Sequence, residues 1–360
     1  MATMFEETTI NGMALGNRLV RSATWEGLAD EVGRPTEKLM ELYRDLAQGG
    51  VGLLISAYTF VRADGRSMPF MMGIHTDEFA ADYIELVDAV HQAGGKIAIQ
   101  LAHAGGQTET SMAGRRPLAP SAVKVAQFSE EPAELTRDEI GEIVRAFREG
   151  ARRAKAWGFD AVQFHAGHGY LISQFLSPHT NQRSDEYGGS IENRCRFFLE
   201  VYRAVREEVG DGYPLMAKMN ITDYLEGGLD TEDGLRVARL LCDAGLDAIE
   251  VSAGTMVSGD KMPLRGPEKE AYHIDLARLV KESVSCPVMV VGGFRSFPIA
   301  EQAVATDGID YVAISRPLIR EPDLPNHWLR GDHRRSTCIS CNGCIQPGLE
   351  GRGVGCVIPG

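Results

Sequence analysis

Eight short, apolar, β-rich runs alternate with amphipathic stretches of helical period along the 360 residues, and this alternation restricts the fold more than any other feature. The runs are residues 19–23, 52–56, 96–101, 160–164, 214–219, 248–252, 287–291 and 311–315. Several are continuously apolar, as parallel strands covered on both faces are. Eight strand-then-helix units give the α/β class and a (β/α)8 TIM barrel. The rival is a doubly wound open sheet, which needs a switch point and usually a Gly-rich first turn. Neither residues 12–17 nor the stretch after Ala23 supplies one. Helical period is clearest over residues 192–209, where Phe197, Val201 and Val205 share a face and Ser190 is placed as N-cap. The connection over residues 103–136 is too long for a simple turn, and a hairpin or lid over the barrel mouth is expected there.

Charge and cysteine usage narrow the function. A net charge of −13 argues against nucleic acid as the main partner. No apolar run is long enough to cross a membrane, and residues 1–12 lack the basic start and apolar stretch of a signal peptide. A reducing, cytoplasmic location is therefore expected. Cys195, Cys242 and Cys286 are scattered, whereas Cys338, Cys341, Cys344 and Cys356 follow a C-x2-C-x2-C-x11-C spacing. Four thiols so close in a reducing compartment read as metal ligands before they read as disulfides. Two units are expected: a barrel over residues 1–335 and a cysteine-rich tail over residues 336–360.

If the strands close, their C-terminal ends gather a chemical set. The fourth strand leads into His165-Ala-Gly-His-Gly-Tyr170. Two imidazoles can hold a substrate oxygen through N–H groups, and a phenol beside them can deliver a proton. The same residues also read as satisfied structural histidines, or as a His-x-x-His zinc pair. Glycines after the seventh strand, Gly292 and Gly293, with Ser315 and Arg316 after the eighth, form the usual phosphate seat of this fold; a tight turn and a surface ion pair are the plainer alternatives. Lys218 comes late in an apolar strand, where it is placed to meet the charge of a reduced flavin or to form a rim salt bridge. Gln100 both donates and accepts, which suits the amide-like edge of such a ring.

The segment His165-Ala-Gly-His-Gly-Tyr-Leu-Ile-Ser-Gln-Phe-Leu-Ser-Pro178, continuing to Arg183-Ser-Asp-Glu-Tyr-Gly-Gly-Ser-Ile-Glu-Asn-Arg194, resembles the signature of the old yellow enzyme family. Asn17-Arg18, Ile99-Gln-Leu-Ala-His-Ala-Gly105 and Ile314-Ser-Arg-Pro317 add to the resemblance, which covers residues 1–335. It implies an FMN-dependent ene-reductase on a (β/α)8 barrel, reloaded by NADH or NADPH, and acting on α,β-unsaturated carbonyl compounds. It implies that His165 and His168 bind the carbonyl oxygen and that Tyr170 protonates the α-carbon. It places Ala23, Thr24, Trp25, Tyr58, Gln100, His165, Lys218, Gly292, Gly293, Ser315 and Arg316 around the FMN. The tail is similar to that of the longer branch of the family, which includes 2,4-dienoyl-CoA reductase and trimethylamine dehydrogenase. That similarity implies a [4Fe–4S] cluster on Cys338, Cys341, Cys344 and Cys356, with zinc as the alternative. A homo-oligomer and a separate redox partner protein are further expectations.

Two residues depart from the family pattern. Trp25 falls where many relatives carry Thr or Cys, so either Thr24 takes that place or Trp25 offers a stacking surface. Lys218 stands for Arg, which keeps the charge and loses the fork. Trp25 and Tyr58 also leave open an amine dehydrogenase with an aromatic bowl for a cation. A zinc-dependent barrel lyase or hydrolase and a bare electron-transfer module complete the rivals.

Overall fold

A computed structural model describes residues 2–263, 266 and 269–359. Eight parallel strands close into a barrel: β1 (Leu19–Arg21), β2 (Leu53–Phe60), β3 (Ile97–Ala102), β4 (Ala161–Ala166), β5 (Leu215–Asn220), β6 (Ala248–Ser252), β7 (Val288–Val291) and β8 (Tyr311–Ile314). Each of the eight expected runs overlaps one of these strands, and β2 to β5 extend past the C-terminal ends of theirs. A helix follows each: α1 (Glu37–Gln48), α2 (Ala80–Gln92), α3 (Arg137–Ala156), α4 (Ile191–Val209), α5 (Thr231–Asp243), α6 (Ile274–Ser283), α7 (Phe297–Ala305) and α8 (Leu324–Leu329). The expected cap of α4 is present, with Ser190 accepting from the Asn193 N–H. A capping box at Thr136 and Glu139 opens α3 by satisfying the first-turn N–H groups.

One apolar layer lies between strands and helices, with Phe164, Phe197, Phe198 and Val201 among its members. A second fills the barrel's lower interior. A hairpin of Thr8–Ile10 and Met13–Leu15 plugs the N-terminal opening, adding Ile10, Met13 and Leu15 to that interior. Its turn is Asn11-Gly12, both with positive φ (43° and 80°), the pair that a tight hairpin turn favours.

The long connection after β3 does not form the expected hairpin. Leu118–Ala119 and Ala133–Glu134 pair in parallel, which requires the chain to loop out between them rather than turn back directly. That looped segment brings Gln127 and Phe128 to the mouth, which accords with the lid alternative.

Candidate active site

Strand register sets the floor of the mouth. Tyr58 pairs with Gln100, Gln100 with Gln163, His165 with Lys218, and Lys218 with Glu250 across successive strands. The β2–β3 register shifts between Ile55 and Tyr58, a local irregularity of the kind that re-aims side chains beside functional sites. Above the floor lies a cavity of about 400 Å³, within the range of small-molecule sites. Its walls include Ala23, Thr24, Trp25, Tyr58, Gln100, His165, His168, Tyr170, Lys218, Gly293, Ser315 and Arg316. The structure thus brings together the expected mouth residues, with Gly292 adjoining Gly293 rather than lining the cavity itself.

A charged network that the sequence did not reveal ties the floor together. Lys218 Nζ lies 2.9 Å from Glu250 Oε1 and donates to Ser22 Oγ at 2.7 Å. Ser22 donates to the same carboxylate at 2.5 Å, and Gln163 Nε2 donates to its other oxygen at 2.9 Å. Gln100 Nε2 donates in turn to Gln163 Oε1 at 2.5 Å. Lys218 therefore has an anionic partner, and the salt-bridge alternative for it is realised below the mouth rather than on its rim. Glu250 sits in a run that reads simply as a β-strand, so only its charge in an apolar stretch marked it. Beside the network, Arg21 forms a second buried ion pair, with Glu26 Oε1 at 3.0 Å, and bonds Thr24.

The two histidines are neutral at physiological pH. Burial first, and then the Lys218 charge, pull His165 down to about 3. Burial, His165, Lys218 and His273 hold His168 well below the usual imidazole range. His168 follows Gly167 with φ 59°, a left-handed conformation that is uncommon outside glycine and often marks a functional turn. Its Nε2 lies 2.7 Å from Ser252 Oγ. His165 Nδ1 is buried without a hydrogen-bond partner. Tyr170 stacks obliquely on His165, ring centroids 4.5 Å apart, and stands 5.2 Å from Tyr58. Its hydroxyl is 3.1 Å from Ser67 Oγ. Burial raises the Tyr170 phenol above its ordinary value, so it holds its proton at neutral pH.

Trp25 is a wall residue more than a free face. Its indole N–H donates to the Pro69 carbonyl at 3.1 Å, and its ring packs so tightly on the tail that a Cβ on Gly348 would meet it at 2.9 Å. The tail crosses the mouth: Ser340, Cys344, Ile345 and Val354 also line the cavity. Arg316 Nη1 donates to Asn342 Oδ1 at 2.6 Å and to the Ser340 carbonyl at 3.3 Å, so this side chain holds the cysteine loop as well as facing the cavity.

The four tail cysteines are free thiols, and all of them line one small hollow. Cys356 Sγ takes a hydrogen bond from Arg320 Nη1 at 2.9 Å. Among the described residues, no three His, Cys, Asp or Glu side chains are grouped so as to hold a metal ion. The metal site expected at Cys338, Cys341, Cys344 and Cys356 is therefore not formed in this geometry, and a zinc pair at His165 and His168 lacks a third ligand. No helix among the described residues is long and apolar enough to cross a membrane.

Fold and mouth together define the class: a (β/α)8 barrel with a small-molecule site at the C-terminal rim of its strands. Residues 3–332 match the NADH:flavin oxidoreductase / NADH oxidase family, and the chain belongs to it, in agreement with the old yellow enzyme resemblance. It is 38% identical over 346 residues to an NADH oxidase of Thermoanaerobacter brockii, covering 95% of this chain and 53% of that protein. It is 38% identical over 327 residues to an NADPH dehydrogenase of Geobacillus sp. (strain WCH70), covering 90% of this chain and 93% of that protein. The solved structure of 2-naphthoyl-CoA reductase in complex with 2-naphthoyl-CoA superposes with a TM-score of 0.91 at 28% identity, covering 98% of this chain and 56% of that one. The chain thus spans about half the length of the NADH oxidase it matches.

Proposed function

We propose that this chain transfers hydride from NADH or NADPH, by way of FMN, to the activated C=C bond of α,β-unsaturated carbonyl compounds. One observation carries the reading: two neutral imidazoles stand beside a phenol that keeps its proton, at the wall of a cavity of about 400 Å³. FMN supplies the hydride chemistry when bound. The residues fit it in three respects. The cavity is of cofactor size, His165 Nδ1 is a buried polar atom awaiting a partner, and Gly293, which has no side chain, lines the same cavity as Arg316. Gln100 and Lys218 would meet the ring's polar edge, with Ala23, Thr24, Trp25 and Tyr58 flanking it. Gly292, Gly293, Ser315 and Arg316 would take the phosphate.

Neutral imidazoles suit this task, because each still offers an N–H to a carbonyl oxygen without adding charge. His165 and His168 would hold that oxygen and draw electron density from the double bond, and oriented donors of this kind are worth roughly 3–4 kcal/mol. Tyr170 would deliver the proton to the α-carbon, its phenol oriented by Ser67 and Tyr58. The likeness to a protein named 2-naphthoyl-CoA reductase favours acyl thioesters among the carbonyl substrates. The amine dehydrogenase reading is weaker, because Trp25 is packed against the tail and offers little of its face to a cation.

The four thiols on one hollow also remain the donor set of a [4Fe–4S] cluster. Each iron of such a cluster takes its own thiolate, so the sulfurs need not converge on a single ion. No step of the reaction is routed through it, and a separate redox partner protein would be needed to draw on it.

The test is a pair of half-reactions on purified, FMN-loaded protein. Tyr170→Phe should slow reoxidation of the reduced flavin by an enone while leaving bleaching of the flavin band by NADH or NADPH nearly unchanged. Equal loss in both half-reactions would remove Tyr170 from the proton-donor role. A protein that binds no FMN would overturn the proposal.

A further inference from the structure

Two cysteines far from the mouth form a pair. Cys242 lies in the last turn of α5, and Cys286 lies two residues before β7, so both sit at the N-terminal end of the barrel, away from the cavity. The Cys286 N–H donates to Cys242 Sγ at 3.1 Å, and Ser285 Oγ lies 3.3 Å from the same sulfur. Neither cysteine is in a disulfide. Cys286 is 7% exposed, whereas Cys242 is only partly buried.

This arrangement makes the two sulfurs unequal. Burial acts to raise the Cys242 thiol, but hydrogen bonds from Ser285 and Cys286 outweigh it and pull the thiol below its ordinary value. Burial first, and then Cys242 itself, push the Cys286 thiol well up. The reachable sulfur is the one whose thiolate is stabilised, and the hidden one keeps its proton. That is the division between an attacking and a resolving thiol. With the Cys242 sulfur already 3.1 Å from the Cys286 backbone nitrogen, rotation about the two Cα–Cβ bonds is the movement that closes an S–S bond.

We propose that Cys242 and Cys286 are a peroxide-reactive dithiol, with Cys242 as nucleophile and Cys286 as resolving thiol. The Cys242 thiolate attacks the O–O bond of a hydroperoxide, forming an S–O bond as the O–O bond breaks, and the released alkoxide or hydroxide takes a proton from solvent to leave as alcohol or water. The Cys286 sulfur then displaces the hydroxyl from Cys242, and its proton leaves with that hydroxyl as water. Two thiols are oxidised to one disulfide and one peroxide is reduced. The resulting bond ties the end of α5 to the entry of β7. A small dithiol or a protein dithiol reverses it by exchange.

The experiment treats the full chain with hydrogen peroxide, blocks remaining thiols with a light alkylating reagent, reduces, and blocks again with a heavy one before peptide mapping. The expected result is heavy label on both Cys242 and Cys286, and a linked Cys242–Cys286 peptide in a parallel digest left unreduced, with Cys242 consumed at least about tenfold faster than the deeply buried Cys195. In Cys286→Ser, a sulfenic-acid trap such as dimedone should label Cys242. In Cys242→Ser, Cys286 should remain a thiol. Oxidation confined to the exposed Cys341 and Cys356, with the Cys242–Cys286 peptides still reduced, would overturn the proposal. So would a Cys286→Ser protein whose Cys242 gives no adduct.

Discussion

Lys218 and Glu250 face each other from adjacent strands at one register position, Nζ to Oε1 2.9 Å, with the lysine 5% and the glutamate 0% exposed. A buried pair like this is costly to break, because removing one partner strands the other's charge. Glu250→Ala should lower stability by about 3–5 kcal/mol in urea unfolding. The paired change Lys218→Met with Glu250→Leu should cost clearly less than the single one. Equal losses would show that the two charges do not depend on each other.

His165→Ala and His168→Ala should each lower kcat/KM for an enone by roughly 10²–10³, the usual cost of one oriented donor. In His168→Ala, flavin absorbance and reduction by the nicotinamide should stay near wild type. The double variant should lose less than the product of the two, because both donors serve one oxygen.

Neutral, buried histidines also fix the sign of an acid effect. Their folded values lie below the unfolded imidazole value near 6.5, so the unfolded chain binds more protons as pH falls. Stability from these groups is complete above about pH 6.5 and is lost as pH drops toward the folded value, about 3 for His165. Thermal unfolding between pH 7 and 4.5 should show a falling Tm that flattens in His165→Asn. An unchanged slope in that variant would mean that other groups set the acid limit.

Gly293 has φ 74°, and a Cβ there would meet Tyr272 Cε1 at 2.8 Å. Gly293→Val should therefore cost about 1–2 kcal/mol through the left-handed backbone alone. Loss of FMN affinity in equilibrium dialysis should exceed what Gly212→Val causes, since nothing crowds that position.

Anaerobically purified protein with about four irons and four sulfides per chain would support the cluster. Cys344→Ser should then remove most of the iron and leave FMN in place. Iron-free protein with ordinary flavin content would leave the tail as four free thiols.

Much of this was legible because strand and helix alternate with little ambiguity, and because parallel barrel strands show themselves as bare apolar runs. The mouth was legible for a related reason: once strand ends are located, His165, Lys218 and Arg316 must share a rim. Glu250 escaped because its partners lie on other strands, and only closure and register bring Ser22, Gln163 and Lys218 to it. The plug at Asn11-Gly12 carries a clear turn signal, but its strands are three residues each and stand outside the eight strand-then-helix units. The pairing of Leu118 with Ala133 had no such signal, since two-residue ladders leave no periodicity. The Cys242–Cys286 contact joins residues 44 apart in the chain and leaves no trace in sequence spacing.

The last residues of this chain are wall as well as appendix. Ile345 and Val354 line the same cavity as Tyr170, and Arg316 grips the loop that carries the cysteines. Substrate choice is consequently shared between two stretches of sequence that can vary separately. A change of a few tail residues would reshape the pocket while His165, His168 and Tyr170 stayed in place, so the shape of the cavity can drift without touching the barrel.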